Sequence, residues 1–244
     1  MKKHIFLFAP SVFFSLFFFS ACGLDTYYTL SAPPAVIHTV NYSDSDPAQN
    51  YVAFRTAKND SDSSFRFLGT AVYYRIYASS SVMLNHMSSI SSVNTTSDYS
   101  AAANRMKGYG YQQLNTSDGS IQPLISAEST EVSIRLTNNH EAVSSGIENT
   151  AQITVISKTP RRSLGTNKTF DFGRYYDSAY VTQKDNYAPP VSGDEDFENG
   201  DVKDKKYYVN MYAVAVGRDS TYTMYYSNVL HLGTVVINAG VVDN

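Results

Sequence analysis

Tryptophan is absent from this 244-residue chain, and cysteine occurs once, at Cys22. A single cysteine excludes an intramolecular disulfide and any thiolate-built metal centre. None of the 5 histidines stands in a His-x-x-x-His pair, so zinc has no signature. The Gly-x-Ser-x-Gly elbow of hydrolases is missing, and so is a glycine-rich phosphate loop. Basic charge is also scarce, with 19 Lys+Arg against 22 Asp+Glu. That balance argues against a nucleic-acid partner and against an electrostatic grip on anionic lipid. No apolar run reaches the roughly 20 residues that a membrane-spanning helix needs. The longest, Ile5 to Phe19, falls short of that length.

What the chain does have begins at its first residues. A basic start, Met1-Lys2-Lys3, leads into that apolar run, which holds seven of the 13 phenylalanines, and small residues follow in Ser20-Ala21-Cys22-Gly23. This order describes an export signal. Ser20-Ala21 directly before Cys22 resembles the lipobox of bacterial lipoproteins. Phe19 stands where that pattern usually has Leu, and the signal looks like the looser, Phe-rich ones of spirochaete-type lipoproteins. The resemblance implies cleavage before Cys22, a diacylglycerol thioether on its sulfur and an acylated new N-terminus carrying palmitate-like chains. The alternative is an ordinary secretory signal cut at Ala-Cys-Gly, which leaves a free thiol. One buried acyl chain binds a membrane marginally, whereas two or more anchor stably. Gly23 follows the cysteine, not the Asp that retains enteric lipoproteins on the inner membrane. The expected location is therefore the bacterial cell envelope, at an outer membrane or on a periplasmic face, with the leaflet open. Losing residues 1–21 removes Lys2 and Lys3 but no acid, leaving 17 basic and 22 acidic residues and a net charge of −5.

Beyond the signal the composition favours strands. All 20 tyrosines lie there, among abundant Thr and Val. Residues 22–34 read as a short tether closing at Pro33-Pro34. Val36 to Val40 and Tyr51 to Thr56 read as short strands. From Phe67 to Tyr77 the pattern alternates, with Val72, Tyr74 and Ile76 on one face and Tyr73, Arg75 and Tyr77 on the other. Met83, Met87 and Ile90 recur at helical spacing, with Ser80 or Ser81 as a cap, and a second short helix spans Tyr99 to Met106, with Gly108 as a stop. A hairpin is expected between Tyr109–Leu114 and Ile121–Ile125. Val132 to Leu136, Ile153 to Ile156, Phe170 to Phe172 and Ala179 to Val181 follow as short strands, with Thr159-Pro160-Arg161-Arg162 as a break. Ala188 to Lys206 reads as a mobile polar loop, since it offers little apolar surface to offset the entropy of ordering. Tyr207 to Val216 is the longest alternating segment and is expected to be a central strand, paired with Met224 to Leu232.

Three segments resemble the fibronectin type III family of β-sandwiches. Tyr207-x-Val209-x-Met211-x-Ala213-Val214 is similar to its sixth strand, Tyr225-Tyr226-Ser227-Asn228-Val229 to the opening of its last, and Val72 to Tyr77 to its third. The resemblance implies a mostly β, immunoglobulin/fibronectin III-like antiparallel sandwich over residues 35–240. A long insertion with two short helices would separate the third strand from the sixth. The family's second-strand tryptophan is missing. Two β-modules split near residue 120 are the alternative.

Candidate chemistry is sparse. The cluster Asp194-Glu195-Asp196-Phe197-Glu198-Asn199-Gly200-Asp201 offers the hard oxygens that calcium takes. It departs from an EF-hand: counted from Asp194, Gly200 falls at the seventh place and Lys205 at the twelfth. A solvated turn is the plainer reading. Lys158, Arg161, Arg162 and Lys168 read as a solvated basic loop. Gly108-Tyr109-Gly110-Tyr111 reads as a turn after a helix, or as a binding loop with uncovered rings. No residue is assigned to catalysis, to a cofactor or to a metal, and Cys22 is the one site expected, for lipid. The resulting expectation is a lipid-anchored envelope protein with a non-enzymatic binding or structural role, its partner a protein or glycan. A periplasmic solute or glycan receptor is the alternative.

Overall fold

A computed structural model describes residues 28–43, 47–116, 124–137, 150–163, 169–173, 190–200 and 206–238. The chain is mostly β. Its elements are β1 (Ala35–His38), a 3-10 turn (Pro47–Gln49), β2 (Val52–Arg55), β3 (Phe65–Tyr77), α1 (Ser80–Ser92), α2 (Ala101–Gly108), β4 (Gln112–Gln113) and β5 (Asn115–Thr116). Then follow β6 (Glu131–Arg135), β7 (Gln152–Ile153), β8 (Pro160–Ser163), β9 (Thr169–Phe170), β10 (Phe197–Glu198), β11 (Lys206–Asp219) and β12 (Met224–Asn238). One sheet has the order β1-β2-β6-β7; a second runs β10-β3-β11-β12, with β4 also on β3; β5-β8-β9 form a third. Every pair is antiparallel except β10 with β3.

Alternation explains how the layers form. Val72, Tyr74 and Ile76 of β3 and Val209, Met211 and Ala213 of β11 face the first sheet, where Val52, Phe54, Val132 and Ile134 complete the largest core. The opposite face of the same strands carries Ala71, Tyr73, Tyr77, Tyr208, Tyr212 and Val214, and both helices cover it. Side chains in a strand point alternately to the two faces, so a strand covered on both reads as continuously apolar. β11 is central, as its pattern predicts, hydrogen-bonded to β3 on one side and β12 on the other.

The helices lie between β3 and β11, as expected. Met83 and Ile90 of α1 are fully buried, as are Ala102, Ala103 and Met106 of α2. α1 begins after Ser79, whose side chain makes no capping bond, so Ser80 and Ser81 sit inside the first turn and do not cap it. α2 starts two residues later than expected and ends at Gly108.

β12 is an edge strand, a place where unpaired N–H and C=O groups invite other chains. Here side chains and one backbone carbonyl occupy several of those groups. The Asn94 amide donates to the Val229 carbonyl and accepts from the Val229 N–H (2.9 Å each). Asn50 does the same at Val236. The Thr39 hydroxyl donates to the Leu232 carbonyl, and Thr234 N–H donates to the Val40 carbonyl. Val40 gets this close because Gly233 (φ +132) has no Cβ; one built there would lie 2.9 Å from the Val40 oxygen.

Several short elements differ from expectation. Gln112–Gln113 pairs with β3 and Asn115–Thr116 with β8, and Ile125 bridges Thr70, so none of these described residues pairs as the expected hairpin has it; residues 121–123 lie outside the described ones. Pro160 does not break a strand but opens β8, a position where its missing N–H is tolerated. The strand expected over Ile153 to Ile156 ends at Ile153. Only Phe170 of the Phe170–Phe172 segment is in a strand. Ala179 to Val181 lies outside the described residues.

Candidate functional site

The acidic segment and the basic one, read as two solvated stretches, meet in the interior. Arg162 of β8 is fully buried. Its Nε and Nη2 donate to the two oxygens of Asp196 (2.9 and 2.7 Å), and Nη2 also reaches Asp194 (2.8 Å). Tyr74 of β3 donates its hydroxyl to the same Asp196 carboxylate (2.7 Å). Burial alone would lower the pKa of the guanidinium. Hydrogen bonding and charge from Asp196, with Asp194 and Tyr74 adding to them, outweigh that and raise it. Burial, with Asp196 next to it, pushes the Tyr74 phenol well above its usual range.

On the other face of β3, Arg75 pairs with Glu198 and donates to the Gly110 carbonyl (2.8 Å). Gly110 (φ +79) permits this approach, since a Cβ there would overlap the guanidinium. Two arginines thus hold three carboxylates of the segment between Asp194 and Glu198. The mobile loop expected over 188–206 is corrected for residues 190–200: Asp196 and Phe197 are buried, and β10 pairs with β3. Phe197 seats in the main core and the carboxylates meet buried arginines, partners that a tally of the segment's own apolar surface does not register. Asp194 and Asp196 are committed to Arg162, so the calcium reading loses its oxygens; Asp201 lies outside the described residues. Arg161 pairs with Asp171 and Arg162 is buried, so these two do not belong to the solvated loop expected.

A second polar network is concentrated under the helices. Tyr111 donates its hydroxyl to Asn210 Oδ1 (2.7 Å). Asn210 Nδ2 lies 2.9 Å from the Thr234 hydroxyl, 2.7 Å from His231 Nε2 and 3.5 Å from the Gly233 carbonyl. A carbonyl only accepts, which favours the amide nitrogen on the Gly233 side and Oδ1 on the Tyr111 side. With the amide nitrogen toward the Gly233 carbonyl, the network assigns His231 Nε2 as the acceptor and the proton of the neutral ring to Nδ1. Burial holds His231 neutral, its pKa pushed down to about 4.

Tyr212 and His231 open onto a groove of about 350 Å³ between α1 and β12, lined also by Leu84, Met87, Ser88 and Val229. Leu84 stands exposed on its rim. Among the described residues this groove combines an apolar wall, an aromatic ring and a neutral imidazole, a lining suited to holding an apolar or planar group. The sequence signal for it was one polar residue, Asn210, between Tyr208 and Tyr212 on a face that is otherwise aromatic. Tyr111 of the Gly108–Tyr111 motif is buried, and Tyr109 stacks on His86 at 3.9 Å, so neither ring is uncovered. His38 stacks on Tyr51; His140 and Lys168 lie outside the described residues, as does Cys22. No group of three His, Cys, Asp or Glu residues suited to a metal occurs among the described residues. No protein-family model, curated protein or solved structure matches this chain.

Proposed function

We propose that this chain is a lipid-anchored protein of a bacterial cell envelope, held by acyl groups on Cys22, which binds a partner and does not transform it. The observation that carries the reading is Phe19-Ser20-Ala21-Cys22 at the end of an apolar export run, in a chain with no second cysteine. We read the folded part as an immunoglobulin/fibronectin III-like sandwich with a long insertion. Supporting this, the segments that resemble the third, sixth and last strands of that family are β3, β11 and β12, neighbours in that order in one sheet, as in immunoglobulin-type sandwiches. The first sheet packs across the shared core from them. The groove beside α1 is the surface we assign to a protein or glycan partner.

Cys22→Ala tests the anchor. Expected are loss of palmitate labelling and release from the membrane fraction; a Cys22→Ala protein that still partitions into detergent would overturn the reading. A second reading, a periplasmic solute or glycan receptor, is favoured by the neutral imidazole of His231 beside the Tyr212 ring in the groove. Protease treatment of intact cells separates the two, because a surface-exposed binder is shaved and a periplasmic receptor is protected.

A further inference from the structure

Tyr28 and Leu30 belong to the segment expected as a tether, yet they are packed. Tyr28 stacks on Phe65 at 4.7 Å and meets Tyr225 edge-on at 5.5 Å. Leu30 is buried with Ala57, Phe65, Phe67 and Ala215. Phe65 opens β3 and Tyr225 stands near the start of β12, so the chain leaves the domain at the pole where β11 turns into β12. Cys22 lies six residues before Tyr28. Six residues, even fully extended, reach about 20 Å. An acylated Cys22 therefore keeps this pole next to the bilayer.

The pole is suited to that position. Tyr222 is 73% exposed and Met224 is 41% exposed at the tip of the turn. Tyr222 has φ +68, an uncommon conformation for a bulky side chain. The turn is held firmly: Asp219 Oδ1 accepts from Thr221 N–H, the Thr221 hydroxyl and Thr223 N–H. The Arg218 guanidinium lies 4.9 Å from the Tyr222 ring centre. A tyrosine with a neighbouring arginine is the side-chain set that favours the headgroup layer, ring inward and charge toward water. Lys58, Asp60 and Asp62 line the hollow beside Tyr28 and Phe65, and Arg66 and Arg218 pair across β3 and β11 next to Asp219, so the charge at this pole is mixed.

We infer that the β11–β12 turn, through Tyr222 and Met224, seats in the headgroup layer of the bilayer that Cys22 anchors, standing the sandwich away from the membrane along β3 and β11. This rests on the proposed anchor at Cys22. Val191 is exposed near β10, which pairs with the far end of β3. At about 3.3 Å per residue the two ends of β3 lie on the order of 40 Å apart.

The chain's one cysteine and missing tryptophan make the test direct. The chain from Cys22 onward, carrying Tyr222→Trp, is coupled through Cys22 to maleimide-headgroup lipid in phosphatidylcholine vesicles. Expected are a blue-shifted emission and quenching by brominated lipid for Tyr222→Trp and for Met224→Trp, with neither for Val191→Trp. Emission from both turn variants that coupling leaves unchanged would overturn the inference. Chemical coupling bypasses natural acylation, so failure here is distinct from failure of palmitate labelling.

Discussion

His231 shows how one side chain in this fold is defined by its neighbours. The Gly233 carbonyl and the Tyr111 hydroxyl hold the two ends of the Asn210 amide, and the amide nitrogen faces His231 Nε2. Burial keeps that ring neutral down to about pH 4, whereas an unfolded histidine titrates near 6.5. Between those values the unfolded chain binds more protons, so the stability from His231 is complete above about pH 6.5. It is lost as pH falls toward 4 and does not change further below that. Linkage puts the loss at up to about 3 kcal/mol. Urea unfolding at pH 7 and pH 4.5 reads it directly. His231→Gln keeps an acceptor for Asn210 without a titrating ring, and it should show a smaller drop than the parent. Equal drops in the two proteins would mean that His231 is not the source.

At the scale of elements, the segment from Asp194 to β10 tests how charge substitutes for apolar surface. Arg162→Met leaves two carboxylates with their shared cation removed, one of them fully buried. Breaking one side of a buried pair typically costs about 3–5 kcal/mol. The chain should lose stability on that order in urea, and adding Asp194→Asn with Asp196→Leu should recover part of it. A loss under about 0.5 kcal/mol would return the segment to an exposed turn. This segment also marks the limit of what the sequence discloses. β3, β11, β12 and α1 were legible because their apolar residues repeat at the period of their own element. Arg162 and Asp196 were not, because a charged residue reads as exposed until tertiary structure supplies its partner. The two residues lie 34 positions apart, and no local pattern links them. The Asn50 and Asn94 amides on β12 escaped for the same reason. Their partners are backbone groups, which carry no sequence signal.

Across the whole molecule, the proposed leader would place the chain and the fold would orient it. One pole holds the N-terminal segment and the exposed Tyr222, and the groove beside α1 lies along the flank between β12 and the helices. The orientation and the role assigned to the groove depend on Cys22 being an acylated N-terminus. The most direct measurement is the intact mass of the protein purified from membranes of its native host, followed by fragmentation of its first peptide. The account predicts a chain beginning at Cys22, heavier than residues 22–244 by a diacylglycerol group and an N-linked acyl group. A free thiol at Cys22, or a mature chain that retains residues 1–21 without acyl groups, would contradict it.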